Sequence, residues 1–217
     1  MTWRAILIVA ETAKGLNGKA MTAVFTGNGR RERYVLEPMA KKFNGTDKVL
    51  LLSKMPFHFR PSPGLSALKA IKIFPSMYGV TRALFLVDRE HFTQKDVDNE
   101  LIGALRSFGI NVQSFGSPNS LKQKALIVNG FVGSHQITIY AVVLGDKKCL
   151  EENIASLIEQ ELGMKVKPNK KAIHTTLRQH RLDTYTLVEK ANKRQLAKAF
   201  PALTSILEEI EKNDVEE

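Results

Sequence analysis

The sequence predicts an α/β fold: a mainly parallel central sheet with helices on both faces and a helical segment at the carboxyl end. Three observations lead there. Short runs rich in β-branched residues alternate with stretches of helical period, the pattern that βαβ units leave in a sequence. Most of these runs are apolar at successive positions, as strands covered on two sides must be. The 217 residues are 43% apolar and 25% charged, which suffices for a full core.

The elements follow in order. Residues 5–9, 23–26, 48–52, 83–87 and 137–144 read as the main strands. The stretch 12–20 holds two glycines and suits a hairpin loop, which would put the first strand at an edge. A helix is expected over 31–43, where Pro38 requires either a dispensable amide or a kink, and another over 65–74 after the turn at 61–64. Val97, Leu101, Leu105 and Phe108 fall on one helical stripe, with Thr93 or Asp96 as cap and Gly109 as its end. Residues 125–128 should pair antiparallel with 137–144 across 129–135, whose two glycines suit a reversal. Leu150, Ile154, Leu157, Ile158 and Leu162 form the next stripe, closed by Gly163. Pro201 separates a helix ending near Phe200 from a fresh one carrying Leu203, Ile206, Leu207 and Ile210. The chain divides into a core over 1–164 and a basic helical extension over 165–217 that packs on it.

Cys149 is the sole cysteine, which excludes an intramolecular disulfide and a thiolate zinc site and predicts a reducing, cytoplasmic setting. The opening apolar run is too short to span a membrane, and Glu11 and Lys14 follow it at once. No nucleophile elbow, zinc-binding His-Glu pattern or dinucleotide fingerprint follows any strand. The net charge of +10 is unevenly spread. Residues 1–94 carry fifteen Lys/Arg against six Asp/Glu, and 165–198 carry ten against two, while 95–164 carry six against eight. Two basic zones of this kind fit a polyanion such as DNA or RNA; the alternative is a well-solvated surface.

The chemistry concentrates where Ala83-Leu-Phe-Leu-Val-Asp88-Arg-Glu90 runs from a buried strand into two acids. Ligand sites of open α/β sheets lie beyond the carboxyl ends of strands. Extended backbone turns residues two apart to one side, so Asp88 and Glu90 could share a hard cation such as Mg2+. The plainer reading has Asp88 capping a turn and Glu90 solvated. Arg30, Arg31 and Arg33 begin the first long helix near the same end of the sheet, and Arg89 lies between the two acids. The second basic zone adds Lys170, Lys171, Arg178 and Arg181, with His174 and His180 as surface histidines. Phe57-His58-Phe59-Arg60 suits either a stacking platform or a buried turn. Cys149 stands next to Lys147 and Lys148, which would lower its pKa.

A strand ending in such a pair after earlier βα units resembles the Toprim domain, and an ordered set of segments resembles the Toprim proteins related to the OLD-family nucleases. The set comprises the stretch from Gly27 through Pro38 and Met39 after a strand, Asp88 and Glu90, residues 137–144, and Leu150-Glu-Glu152. Residues 170–174 and 200–203 are also similar. The resemblance implies a Toprim/Rossmann-like fold and Mg2+-dependent phosphodiester hydrolysis. Asp88 and Glu90 would then hold the metal, Glu152 would be a third contact, and a glutamate near the first strand would transfer protons. With Asn28-Gly29 laid on the family's Glu-Gly, an amide stands in the proton-transfer position, and an amide takes up no proton at neutral pH. A second registration lays Ile6-Leu-Ile-Val-Ala-Glu11-Thr-Ala-Lys14 on the topoisomerase form of the motif and makes Glu11 the acid. Two functional readings stand together at this level. One is a metal-dependent nuclease, the other a catalytically silent module that binds nucleic acid or a protein partner.

Overall fold

The computed structural model describes residues 8–9, 20–27, 31–42, 48–52, 64–93, 95–118 and 123–212. Its strands are β1 (Ile8–Val9), β2 (Ala20–Thr26), β3 (Lys48–Leu52), β4 (Arg82–Asp88), β5 (Asn111–Gly116), β6 (Ala125–Val132) and β7 (His135–Leu144). The first four helices are α1 (Arg31–Lys42), α2 (Ile73–Tyr78), α3 (Val97–Ser107) and α4 (Leu150–Leu162). Then come α5 (Lys170–Gln179), α6 (Thr184–Lys190), α7 (Lys193–Ala199) and α8 (Pro201–Lys212). Two 3-10 segments cover Gly64–Lys72 and Arg89–His91.

The strands form one open sheet in the order β1-β3-β2-β4-β7-β6-β5. From β1 to β7 neighbouring strands are parallel, whereas β7–β6 and β6–β5 are antiparallel. The expected mainly parallel sheet is therefore a mixed one, with an antiparallel arm. The expected hairpin between the first two strands is also corrected. A hairpin would make them antiparallel neighbours; instead β3 lies between β1 and β2 and pairs with each in parallel. β1 does lie at the edge.

β4 shows why the sheet is covered twice. Leu84 and Leu86 belong to one buried cluster with α1, α4 and the helices that follow, including Leu36, Ile154, Leu177, Phe200 and Ile206. Ala83, Phe85 and Val87 alternate into a second cluster with Leu68, Phe74, Leu101 and Leu105. Strand geometry turns successive side chains to opposite faces, so an all-apolar strand needs helices on both. Each fully buried leucine or phenylalanine here contributes roughly 2–3 kcal/mol. No helix among the described residues is long and apolar enough to cross a membrane.

Local chemistry sets several boundaries. The helix expected over 65–74 is a 3-10 segment that hands over to α2 at Ile73. Pro75 then falls in the first turn of α2, where its missing amide costs little. Pro201 likewise opens α8. Asp96 is the cap of α3, accepting from the Asn99 amide at 3.1 Å. The β6–β7 reversal takes only Gly133 and Ser134, with Val132 opposite His135. Gly133 has φ 60° at the first turn position, where a type II′ hairpin favours glycine. Gly130, the other glycine of that expected loop, lies within β6; a Cβ there would meet the Asn111 carbonyl oxygen at 2.4 Å.

Candidate functional site

The parallel strands β2 and β4 are direct neighbours, and their carboxyl ends meet at one place. Thr26 is registered with Leu86, and the Gly27 amide donates to the Leu86 carbonyl at 2.8 Å. The strand that leads to Gly27, Asn28 and Gly29 is therefore the one beside the acidic pair. β1 lies two strands further out. Glu11, Asn28, Arg30 and residues 57–60 lie outside the described residues.

The three expected metal ligands do not converge. Asp88 ends β4, is 6% exposed, and accepts the Leu150 amide on Oδ1 at 2.9 Å, which satisfies the first turn of α4. The strand stops there, so the alternation that was to align Glu90 with Asp88 is lost. Glu90 lies in the 3-10 turn Arg89–His91, exposed, with its amide donating to the Lys148 carbonyl at 2.7 Å and its carboxylate 4.0 Å from Lys148 Nζ. Glu152 Oε2 accepts the amides of Asp146 and Lys147 at 2.7 and 2.9 Å, tying the loop before α4. Among the described residues no group of three or more His, Cys, Asp or Glu is arranged to hold a metal ion. Mg2+ does not fit the set Asp88, Glu90 and Glu152 as they stand.

A different group of acids gathers below this surface. Glu32, in the first turn of α1, is 2% exposed, and its Oε2 has no hydrogen-bond partner. Burial, reinforced by the charges of Asp88 and Glu151, pushes its carboxyl up to about 7, against its own backbone amide and Arg31. Glu151 is also buried and takes a hydrogen bond from Arg31 Nη1 at 2.5 Å. Burial acts to raise the Glu151 carboxyl. The Cys149 thiol, the Glu151 amide, and then Arg31 and Lys170 outweigh it and hold the group below its ordinary value. Cys149 moves opposite to the expectation from its lysine neighbours. Burial, then the hydrogen bond to Glu151, pushes the thiol up to about 12.

Arg31 links this buried layer to a cleft of about 750 Å³. Lys170, His174 and Arg178 recur every four residues along α5, so they form one stripe, and that stripe lines the cleft together with Arg31 and Arg181. Tyr34, one turn beyond Arg31 on α1, and Tyr185 supply aromatic walls. Ile154, Ile173, Leu177 and Leu182 make the lining apolar between the charges. Lys41 donates to the Tyr185 hydroxyl at 2.5 Å and sits 5.2 Å from its ring centre; that hydrogen bond raises the lysine's pKa. Asp183 is the acid in the lining, and it accepts the Thr186 amide at 2.7 Å as the cap of α6.

Of the residues expected to bind nucleic acid, the structure thus brings together Arg31, Lys170 and Arg178. Arg33, Arg89 and Lys171 do not line the cleft. Arg89 donates to the Phe92 carbonyl at 3.2 Å and lies 5.8 Å from the Phe92 ring centre, bound into its own turn. Arg181 and His174, expected within the second basic zone, also line the cleft, whereas Tyr34, Tyr185 and the buried Glu32 were not singled out by the sequence. The four-residue period of Lys170, His174 and Arg178 is present in the sequence.

Arg181 stands out in its backbone. After α5 the Leu182 amide donates to the Leu177 carbonyl at 2.8 Å and the Arg181 amide to the Arg178 carbonyl at 3.0 Å, the paired bonds of a Schellman ending. Arg181 itself takes φ 54°, left-handed backbone that glycine normally supplies at this position. The chain matches no protein-family model, and neither a curated protein nor a solved structure shows significant similarity to it.

Proposed function

We propose that this chain is a nucleic-acid-binding module on a Toprim-like α/β scaffold, gripping phosphates in the cleft between α1, α5 and α6 without cleaving them. The single observation that carries this reading is the cleft itself. Arg31, Lys170, Arg178 and Arg181 line one concavity whose one acid caps a helix. Guanidinium groups bind phosphate through charge-assisted, often bidentate bonds, and lysine adds a point charge. Basic side chains clustered in this way supply most of the affinity of a protein for a polyanion.

Metal-dependent nuclease chemistry is the second reading. In its favour, Asp88 lies at the end of β4 beside β2, with Glu32 and Glu151 close enough to act on one another's ionisation. Against it, Asp88 and Glu152 are bonded to main-chain amides and Glu90 sits beside Lys148. No catalytic step is therefore drawn through a metal. A binding and cleavage assay separates the two. The proposal expects labelled DNA or RNA to be retained by the protein and to stay intact in the presence of Mg2+. Cleavage that disappears in Asp88→Asn would establish the nuclease instead.

A further inference from the structure

We infer that the ligand of the cleft is a single-stranded nucleic acid, with a base against the ring of Tyr34 and phosphates on Arg178 and Arg181. This deepens, and rests on, the nucleic-acid reading above. A duplex keeps its base faces stacked inside and offers a protein its phosphates, sugars and base edges. The exposed ring of Tyr34 and the half-buried Leu182 would have no partner on such a surface. A single strand exposes flat apolar base faces next to its phosphates, and a groove that mixes cations with aromatic rings suits both at once. The volume of about 750 Å³ is of the size that encloses a small organic ligand, and is concave where a duplex is convex.

Two features of individual residues point the same way. Tyr34 is 52% exposed, on the cleft side of α1, so an aromatic face is open to the same concavity that Lys170, Arg178 and Arg181 line. Arg181 occupies the left-handed position of the α5 ending, where glycine would remove the strain. The side chain held there at that cost lines the cleft three residues after Arg178.

The test is fluorescence anisotropy with the full chain, a short labelled oligothymidylate, and a duplex of equal length. The single strand is expected to bind about tenfold more tightly, with Tyr34→Ala removing most of that preference, as loss of one stacked base does. Arg181→Gly is expected to raise the unfolding midpoint while weakening binding of the strand about fivefold. Equal affinity for strand and duplex, with both weakened by Lys170→Ala, overturns the single-strand inference and leaves nucleic-acid binding standing. No binding to either probe, or binding indifferent to both Lys170→Ala and Arg178→Ala, overturns the nucleic-acid reading and with it this inference. Full affinity in a folded Arg181→Gly protein removes Arg181 from the site.

Discussion

Replacing Glu32 by glutamine tests whether a carboxyl buried beside Asp88 and Glu151 shapes the stability of this protein. The group rises from its ordinary value of 4.5 to about 7 on folding, chiefly through burial. The folded state therefore holds a proton that the unfolded chain releases between those values, and stability falls as pH rises from about 4.5 to about 7. At about 1.4 kcal/mol per tenfold change in proton affinity, the ionised group costs roughly 3 kcal/mol once the pH is above its folded value. Glutamine keeps the shape and carries no charge. Urea unfolding followed by circular dichroism should show Glu32→Gln close to wild type near pH 5 and about 2–3 kcal/mol more stable near pH 8. Other titrating groups are common to both proteins, so the difference isolates this one. Parallel pH profiles of the two proteins over that range would refute the argument that Glu32 keeps its proton in the fold.

The same layer gives further expectations. The Cys149 thiol, buried and pushed up to about 12, should resist iodoacetamide at pH 8 in the native state and react on unfolding; mass spectrometry of native protein alkylated at the rate of an open thiol would contradict this. Arg31→Ala leaves the buried Glu151 carboxylate without its ion pair and should destabilise by about 1–3 kcal/mol. Because Glu151 is held below its ordinary value, that defect should be present above about pH 4.5 and shrink as pH falls through the folded value, read by thermal unfolding at pH 7 and pH 4; an equal defect at both would refute it. Gly145→Ala should cost about 2–4 kcal/mol, since Gly145 has φ 79° and a Cβ there would meet the Cys149 amide nitrogen and carbonyl oxygen at 2.5 Å; an unchanged denaturation midpoint would contradict the geometry of this loop.

What the sequence disclosed and what it withheld divide along the range of the forces involved. The two-sided burial of β4 was readable because alternation and apolar content are local to the strand. Asp88 was readable as the strand's end for the same reason. Glu90 was misjudged because a single 3-10 turn after Asp88 cancels the period of two, and the residues of that turn carry no mark of it. Glu32 stands between two arginines with nothing in the sequence to mark it as buried. Its burial depends on how α1 packs, and its neighbours Asp88 and Glu151 come from other elements. The cleft is half legible: the α5 stripe is periodic, but Arg31 reaches Glu151 across 120 residues of chain, a distance that no local pattern spans. Arg181 was legible as one of the basic residues of its segment, but its left-handed backbone was not, because a left-handed arginine has the same letters around it as any other.

The most direct test of the account is the salt dependence of nucleic-acid binding. If Lys170, Arg178 and Arg181 each neutralise a phosphate of a single strand, Arg31 being paired with Glu151, the logarithm of the association constant should fall against the logarithm of salt concentration with a slope of roughly −2. Removing two of the cations in Lys170→Ala/Arg178→Ala should bring that slope to roughly −0.7. A slope that the double variant leaves unchanged, or binding that ignores salt, would contradict the claim that this cleft is where the protein meets nucleic acid.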